Sequence, residues 1–251
     1  MTTLRGFLGE RPFALAMSSG FFGFFAHAGL MTVLEDEGLL PARVSGSSAG
    51  ALVGGLWASG VSARAIGDEL LRLERKDFWD PRPGLGLLRG RLFDERLGRI
   101  LGAPTFEGAR VPAAMSVFDV LSRTTRVVTS GSLATAIRAS CAVPLLFHPV
   151  YLDGRPQLDG GILDRPGIAG MPAGERVLFH HLASRSPWRG KRGDAMEIPR
   201  RAGLLPIVLG DLPRVGPFRL PEGARAFEVA RRRMRLALDR AVDDAGVFVD
   251  G

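Results

Sequence analysis

Two uncharged stretches near the amino-terminal end constrain the fold more than any other feature. Residues 13–34 carry no formal charge, and residues 44–63 are equally uncharged and rich in glycine. The first is long enough to cross a bilayer. It is broken, however, by Ser18, Ser19, Gly20, Gly23 and Gly29. Small residues grouped in this way fit a buried strand, a tight turn and a helix better than a continuous span. Two such units in succession describe the buried centre of an α/β domain.

The remaining pattern extends that centre. Apolar runs at 13–17, 42–45, 175–182 and 204–209 read as strands, 111–120 with 124–129 as a hairpin, and 150–152 with 154–158 as short strands about a turn. Helical spacing covers 26–37, 48–59, 61–76, 94–101, 132–141 and 222–241. Residues 77–92 and 184–203 are rich in Pro, Gly and Arg and read as loops, the second carrying Trp188. Strands alternating with helices predict an α/β fold with a mostly parallel central sheet flanked by helices. No repeat or composition break divides residues 1–251, so a single domain is expected, with 162–251 completing the sheet and ending in a helix.

The net charge is +7, carried almost wholly by arginine, since Lys76 and Lys191 are the only lysines. No zinc spacing, aromatic RNA-binding set or long basic run accompanies it, so nucleic acid is not an expected partner. A solvated arginine surface is the simpler account. Peripheral contact with an anionic membrane is the alternative, and Trp79, Trp188 and Phe218 lie beside arginines where they could serve it. Arg5 is followed by Glu10 and Arg11, which interrupt any leader-like apolar core, so a cytoplasmic location is expected. Cys141 is the only cysteine and excludes an intrachain disulfide. The four histidines show no metal-ligand spacing, and no metal or organic cofactor is expected.

Chemistry points first to Gly46-Ser47-Ser48-Ala49-Gly50, a G-x-S-x-G pentapeptide between an expected strand and an expected helix. A serine on such a turn projects its oxygen outward, and small neighbours let the backbone fold tightly beneath it. The hydroxyl needs a base. Histidine is the usual one, and the order Ser48, Asp159, then His180 or His181 would suit a Ser-Asp-His arrangement. Only one or two strands precede Ser48, fewer than the α/β-hydrolase order provides.

Three blocks carry a resemblance to the patatin-like phospholipase family. Residues 17–29 occupy the place of the family's glycine-rich oxyanion loop. Residues 44–60 resemble its nucleophile block. Residues 136–161 resemble its Ala-Ser block and end in Leu158-Asp159-Gly160-Gly161. The resemblance spans residues 13–161 and is faint beyond. It implies a three-layer architecture and a lipid acyl hydrolase with a Ser–Asp dyad: Ser48 as nucleophile, Asp159 as base, and Gly20, Phe21, Phe22 and Gly23 around the oxyanion. Gly46, Gly50, Gly160 and Gly161 would support the motifs. An aspartate base needs a raised pKa, for which Leu158, Ile162 and Leu163 could supply apolar surroundings. The oxyanion loop departs from the family form, with Ser18 and Ser19 at glycine positions, Phe22 in place of a basic residue, and one extra residue before His27.

Two rival readings remain open on sequence grounds. One is a Ser-His-Asp esterase or acyltransferase on another α/β fold. The other is a non-catalytic lipid-binding or interaction protein that kept this fold. His27 reads as a packing or hydrogen-bonding residue, and the aromatic run Phe21, Phe22, Phe24 and Phe25 divides between core filling and an acyl-chain groove.

Overall fold

The computed structural model of the chain describes residues 2–183, 198–243 and 246–250. Helix α1 (Leu4–Glu10) is capped by Thr3, whose hydroxyl accepts the Gly6 N–H. Strand β1 (Ala14–Met17), helix α2 (Phe24–Asp36), strand β2 (Arg43–Ser47) and helix α3 (Ala49–Ala58) follow, and they account for both uncharged stretches. Every residue of α3 is buried, which explains why it carries no polar face. Helix α4 (Ala63–Leu71), strand β3 (Gly86–Leu88), helix α5 (Arg91–Ile100) and the hairpin β4 (Ala113–Asp119) and β5 (Thr124–Val128) come next. Helix α6 (Leu133–Ser140), β6 (Leu145–Phe147), β7 (Val150–Leu152) and β8 (Arg155–Asp159) lead to β9 (Val177–His181), β10 (Leu204–Leu209), α7 (Glu222–Leu238) and β11 (Val247–Val249).

The main sheet runs β11-β10-β9-β1-β2-β4-β8-β7, with β5 also paired to β4. From β11 to β4 all pairings are parallel; β5, β8 and β7 add an antiparallel side. The mostly parallel sheet expected from the strand–helix alternation is therefore present. Side chains alternate across β1 as a strand requires. Leu15 and Met17 join the main core with the helices, whereas Ala14 and Ala16 face a smaller cluster with Met171, Val177 and Phe179.

Several local expectations change. The helix expected over 61–76 stops at Leu71, because Glu74 and Asp77 exchange backbone–side-chain bonds and start a separate 3-10 turn. The loop expected over 77–92 holds β3, which pairs in parallel with β6. Asp80 accepts the N–H groups of Gly90, Arg91 and Leu92, so α5 begins at Arg91 rather than Asp94. Strand β11 follows α7, so the chain does not close on a helix. Trp188 lies outside the described residues. No described helix is long and apolar enough to cross a membrane.

Candidate functional site

The site forms where the carboxyl ends of adjacent parallel strands meet, the usual crevice of open α/β sheets. β1 delivers Ser18 and the loop after it, β2 delivers Ser48, and β8 ends at Asp159 beside Val117 of β4. Ser48 lies between β2 and α3 at φ 51° and ψ −113°, a left-handed conformation unfavourable for a side chain bearing Cβ. Two glycines make that turn sterically feasible. A Cβ on Gly46 would stand 2.4 Å from the carbonyl carbon of Gly50, and one on Gly50 would stand 2.0 Å from the carbonyl oxygen of Met17. The pentapeptide is thus a requirement of backbone-to-backbone approach.

The Ser48 hydroxyl donates to Asp159 Oδ2 at 2.6 Å. The other carboxylate oxygen accepts the Gly161 N–H at 2.8 Å. Asp159 is buried, and burial pushes its pKa from 3.8 up to about 6, against the opposing bonds from Ser48 and Gly161. Leu163, expected to help supply that environment, is instead 56% exposed. Gly160 passes so close to β4 that a Cβ would lie 2.0 Å from the Ser116 oxygen. These contacts leave one Asp159 oxygen directed at the Ser48 hydroxyl and hold the carboxylate in place.

No histidine stands between Ser48 and Asp159. His180 Nδ1 meets His27 Nδ1 at 2.8 Å in the buried interior. His27 Nε2 faces the Ser18 carbonyl at 2.8 Å and must donate to it, so its Nδ1 accepts and His180 Nδ1 donates. Burial lowers both imidazoles, His27 to about 4, and keeps them neutral. The pair braces the loop rather than Ser48.

That loop explains its own departures from glycine. The Ser18 hydroxyl accepts the Leu182 N–H, its N–H donates to His180 O, and the Ser19 N–H donates to Arg165 O. The N–H groups of Gly20, Phe21 and Phe22 have no hydrogen-bond partner among the described residues, and all three residues line the same cavity as Ser48. Gly23 differs from expectation. Its N–H donates to Gly20 O at 2.8 Å, so it is not available to an oxyanion, and a Cβ there would strike Leu182 Cδ1 at 2.2 Å. Gly23 closes the turn and caps α2. Phe22, at φ 56°, is held among Phe21, Phe24 and Phe78.

Beside Ser48 opens a cavity of about 120 Å³. Phe22, Leu52, Leu56, Leu70, Phe78 and Leu97 are among the residues that line it. Its wall also includes Arg96, whose charge is neutralised by Glu69 and Asp77 at 3.0 and 3.1 Å. Phe25 is core, so the aromatic run divides between the two roles.

Two supports were not singled out in the sequence. Ser140, inside the Ala-Ser block, accepts the Ser48 N–H at 2.8 Å and donates to Ser116 O at 2.7 Å. Buried Asp164 accepts the Ser116 hydroxyl at 2.6 Å and the N–H groups of Gly167, Ile168 and Ala169. Cys141 donates its thiol to Ser48 O, and burial raises its pKa so that it stays protonated. Among the described residues no cluster of His, Cys, Asp and Glu is arranged to hold a metal.

A parallel-sheet α/β protein with a serine on a strained strand-to-helix turn, bonded directly to a buried aspartate, is the class that fold and site define. The family model for patatin-like phospholipases matches residues 15–171, and the chain belongs to that family. It is 34% identical over 163 residues to an uncharacterised NTE family protein of Mycobacterium bovis, covering 60% of this chain and 43% of that protein. It is 26% identical over 171 residues to the lysophospholipase NTE1 of Scheffersomyces stipitis, covering 65% of this chain and 11% of the relative. The chain thus spans less than half the length of these relatives. The crystal structure of VipD from Legionella pneumophila shares the fold, with a TM-score of 0.57 at 14% identity over 91% of this chain and 67% of VipD.

Proposed function

We propose that the chain is a serine lipid acyl hydrolase of phospholipase A or lysophospholipase type, acting through a Ser48–Asp159 dyad and an acyl-enzyme. The observation that carries this reading is the 2.6 Å bond from the Ser48 hydroxyl to a buried Asp159 carboxylate, at the mouth of an apolar cavity. Family membership and the lysophospholipase relative support the lipid substrate class.

Ser48 Oγ attacks the ester carbonyl carbon as Asp159 takes its proton. The oxyanion meets the N–H groups of Gly20, Phe21 and Phe22. One such donor contributes about 3 kcal/mol to the transition state. The carbon–oxygen bond to the leaving alcohol breaks, and Asp159 returns the proton to that alcohol. Water then adds to the acyl-enzyme while Asp159 takes one of its protons, and Ser48 regains a proton as the fatty acid departs. The cavity beside Ser48 suits the acyl chain, since it is apolar and its charges are paired.

The test is labelling by a fluorophosphonate probe of wild type, Ser48→Ala and Asp159→Asn, with fatty-acid release from short-chain esters and phospholipids. Labelling that requires Ser48, with hydrolysis lost in both variants, is the expected result. A well-folded wild type that neither labels nor releases fatty acid, yet binds lipid, would sink the enzymatic reading in favour of a binding protein.

A further inference from the structure

The small parallel sheet of β3 and β6 leaves apolar side chains in solvent. Leu85 and Leu87 are 72% and 48% exposed, and Leu145 is 78% exposed. Gly86, between the two leucines, pairs in register with Leu145. Partners in register share a face and neighbours along a strand alternate, so Leu145 lies on the face of Gly86 while Leu85 and Leu87 lie on the other; the three leucines make an apolar patch around one narrow, exposed two-stranded ribbon. The patch adjoins the cavity, because Leu146 and Phe147, next in the chain, form part of the cavity wall.

A second exposed apolar group borders the same cavity. Phe218 is 72% exposed, and Pro217 before it lines the wall together with Trp79. The rings of Phe218 and Trp79 meet edge to face at 5.9 Å, and the Arg75 guanidinium lies over both.

The charge around these groups is predominantly positive: the flanking acids Asp153, Asp211 and Glu222 pair with Arg126, Arg233 and Arg225, and Asp80 accepts the backbone N–H groups at the start of α5. Residues 81–90 contain Arg82 and Arg89 and no acid, residues 212–221 contain Arg214 and Arg219 and no acid, and residues 141–152 carry no formal charge. None of these four arginines forms an ion pair with a described residue. Exposed leucines and an aromatic pair among unpaired arginines match a surface that is anionic at its head groups and apolar beneath. A second copy of this chain would present the same positive face and meet repulsion.

We propose that β3–β6, with Phe218 beside it, is a docking surface for an anionic phospholipid bilayer, which sets the cavity mouth against the lipid. The inference rests on the hydrolase reading for its purpose but not for its test.

The full-length Ser48→Ala protein is sedimented with vesicles of phosphatidylcholine alone, or with about 30 mol % phosphatidylglycerol. Binding roughly tenfold tighter to the anionic vesicles, and released by salt, is expected. Leu85→Ser/Leu87→Ser/Leu145→Asn should weaken binding about tenfold; asparagine suits the φ of 65° at Leu145. Arg82→Gln/Arg89→Gln should remove most of the preference for anionic vesicles. In the Ser48 background both variants should hydrolyse a soluble short-chain ester as wild type does. An inactive wild type that still docks would overturn the hydrolase reading alone. Absence of vesicle binding, or equal binding by the leucine variant, would overturn the docking surface. So would dimerisation of the protein that the leucine variant abolishes, which assigns the face to a second copy.

Discussion

The hydroxyl of Ser140 accepts the backbone N–H of Ser48 at 2.8 Å and donates its own proton to the carbonyl of Ser116 at 2.7 Å. The last residue of α6 thereby fastens the strained turn at Ser48 to β4. Ser140→Ala leaves the Ser48 N–H without its acceptor. It should cost about 1–2 kcal/mol of stability. The reaction should suffer more than binding, because a small misplacement of an attacking atom is expensive. We expect kcat to fall roughly tenfold or more with KM little changed. Equal losses in kcat for Ser140→Ala and for a surface control of matched stability would remove Ser140 from the positioning of Ser48.

Asp159 links activity and stability to pH with opposite signs. In the base role proposed for it Asp159 must be ionised, so kcat/KM should rise about tenfold per unit below pH 6 and level off above. Its folded pKa of about 6 lies above its ordinary 3.8, so the native state holds an extra proton between those values. This group therefore makes the fold less stable as pH rises through that window, and the penalty is complete above about 6. Asp159→Asn never acquires the charge. At pH 8 it should be inactive yet more stable than wild type, by about 1–3 kcal/mol. Urea denaturation decides this: a less stable variant at pH 8 would mean that burial is not what raises Asp159.

His27 titrates with the reverse consequence. Its folded pKa of about 4 lies below its ordinary 6.5, so the unfolded chain binds the extra proton in between. Stability from this group is complete above 6.5 and is lost as pH falls toward 4. His27→Gln can still donate to the Ser18 carbonyl but cannot be protonated. The drop in stability from pH 7 to pH 5 should shrink by about 2 kcal/mol in the variant, and the comparison cancels the contribution of Asp159. An unchanged drop in urea melts at the two pH values would show that His27 is not held neutral.

Glycines of the two motifs should fail in different ways. At Gly50 a Cβ would lie 2.0 Å from the carbonyl oxygen of Met17, which is backbone of a central strand and cannot yield. Gly50→Ala should cost more than about 4 kcal/mol and depress the yield of folded protein. At Gly161 a Cβ would lie 2.5 and 2.7 Å from Ser19 Oγ and Cβ and 2.9 Å from Asp159 Oδ1, so the Ser19 loop, not a central strand, must give way. Gly161→Ala should fold, with melting only a few degrees lower, and should lose most hydrolysis because Asp159 is displaced. Thermal melts paired with ester assays separate the two. A Gly161→Ala enzyme with full activity would contradict the geometry.

The sequence alone determined whatever depends on neighbours along the chain. Uncharged runs broken by small residues defined β1, α2, β2 and α3, since burial on all sides excludes charge and tight turns demand small residues. Gly46 and Gly50 were legible from the G-x-S-x-G spacing, and Gly46 answers to the turn itself, whereas the close approach of Gly50 to Met17 of β1 was set by packing. Chain order placed Asp159 in a possible Ser-Asp-His arrangement, and only the resemblance over Ala136 to Gly161 made it a base on its own, because Asp-Gly by itself is a common turn signal. Tertiary structure decided the contacts across long separations. Ser48 meets Asp159 across 111 positions and His27 meets His180 across 153, and no local pattern encodes either pairing. β3 and β6 are three residues each, too short for periodicity to reveal, and exist because they pair with one another. Gly23 shows the limit most simply. Its type and place suited an oxyanion donor, but only the folded loop reveals that its N–H is already bonded to Gly20. Propensity and spacing specify elements, whereas direction and occupancy of a hydrogen bond are set only when separate elements pack.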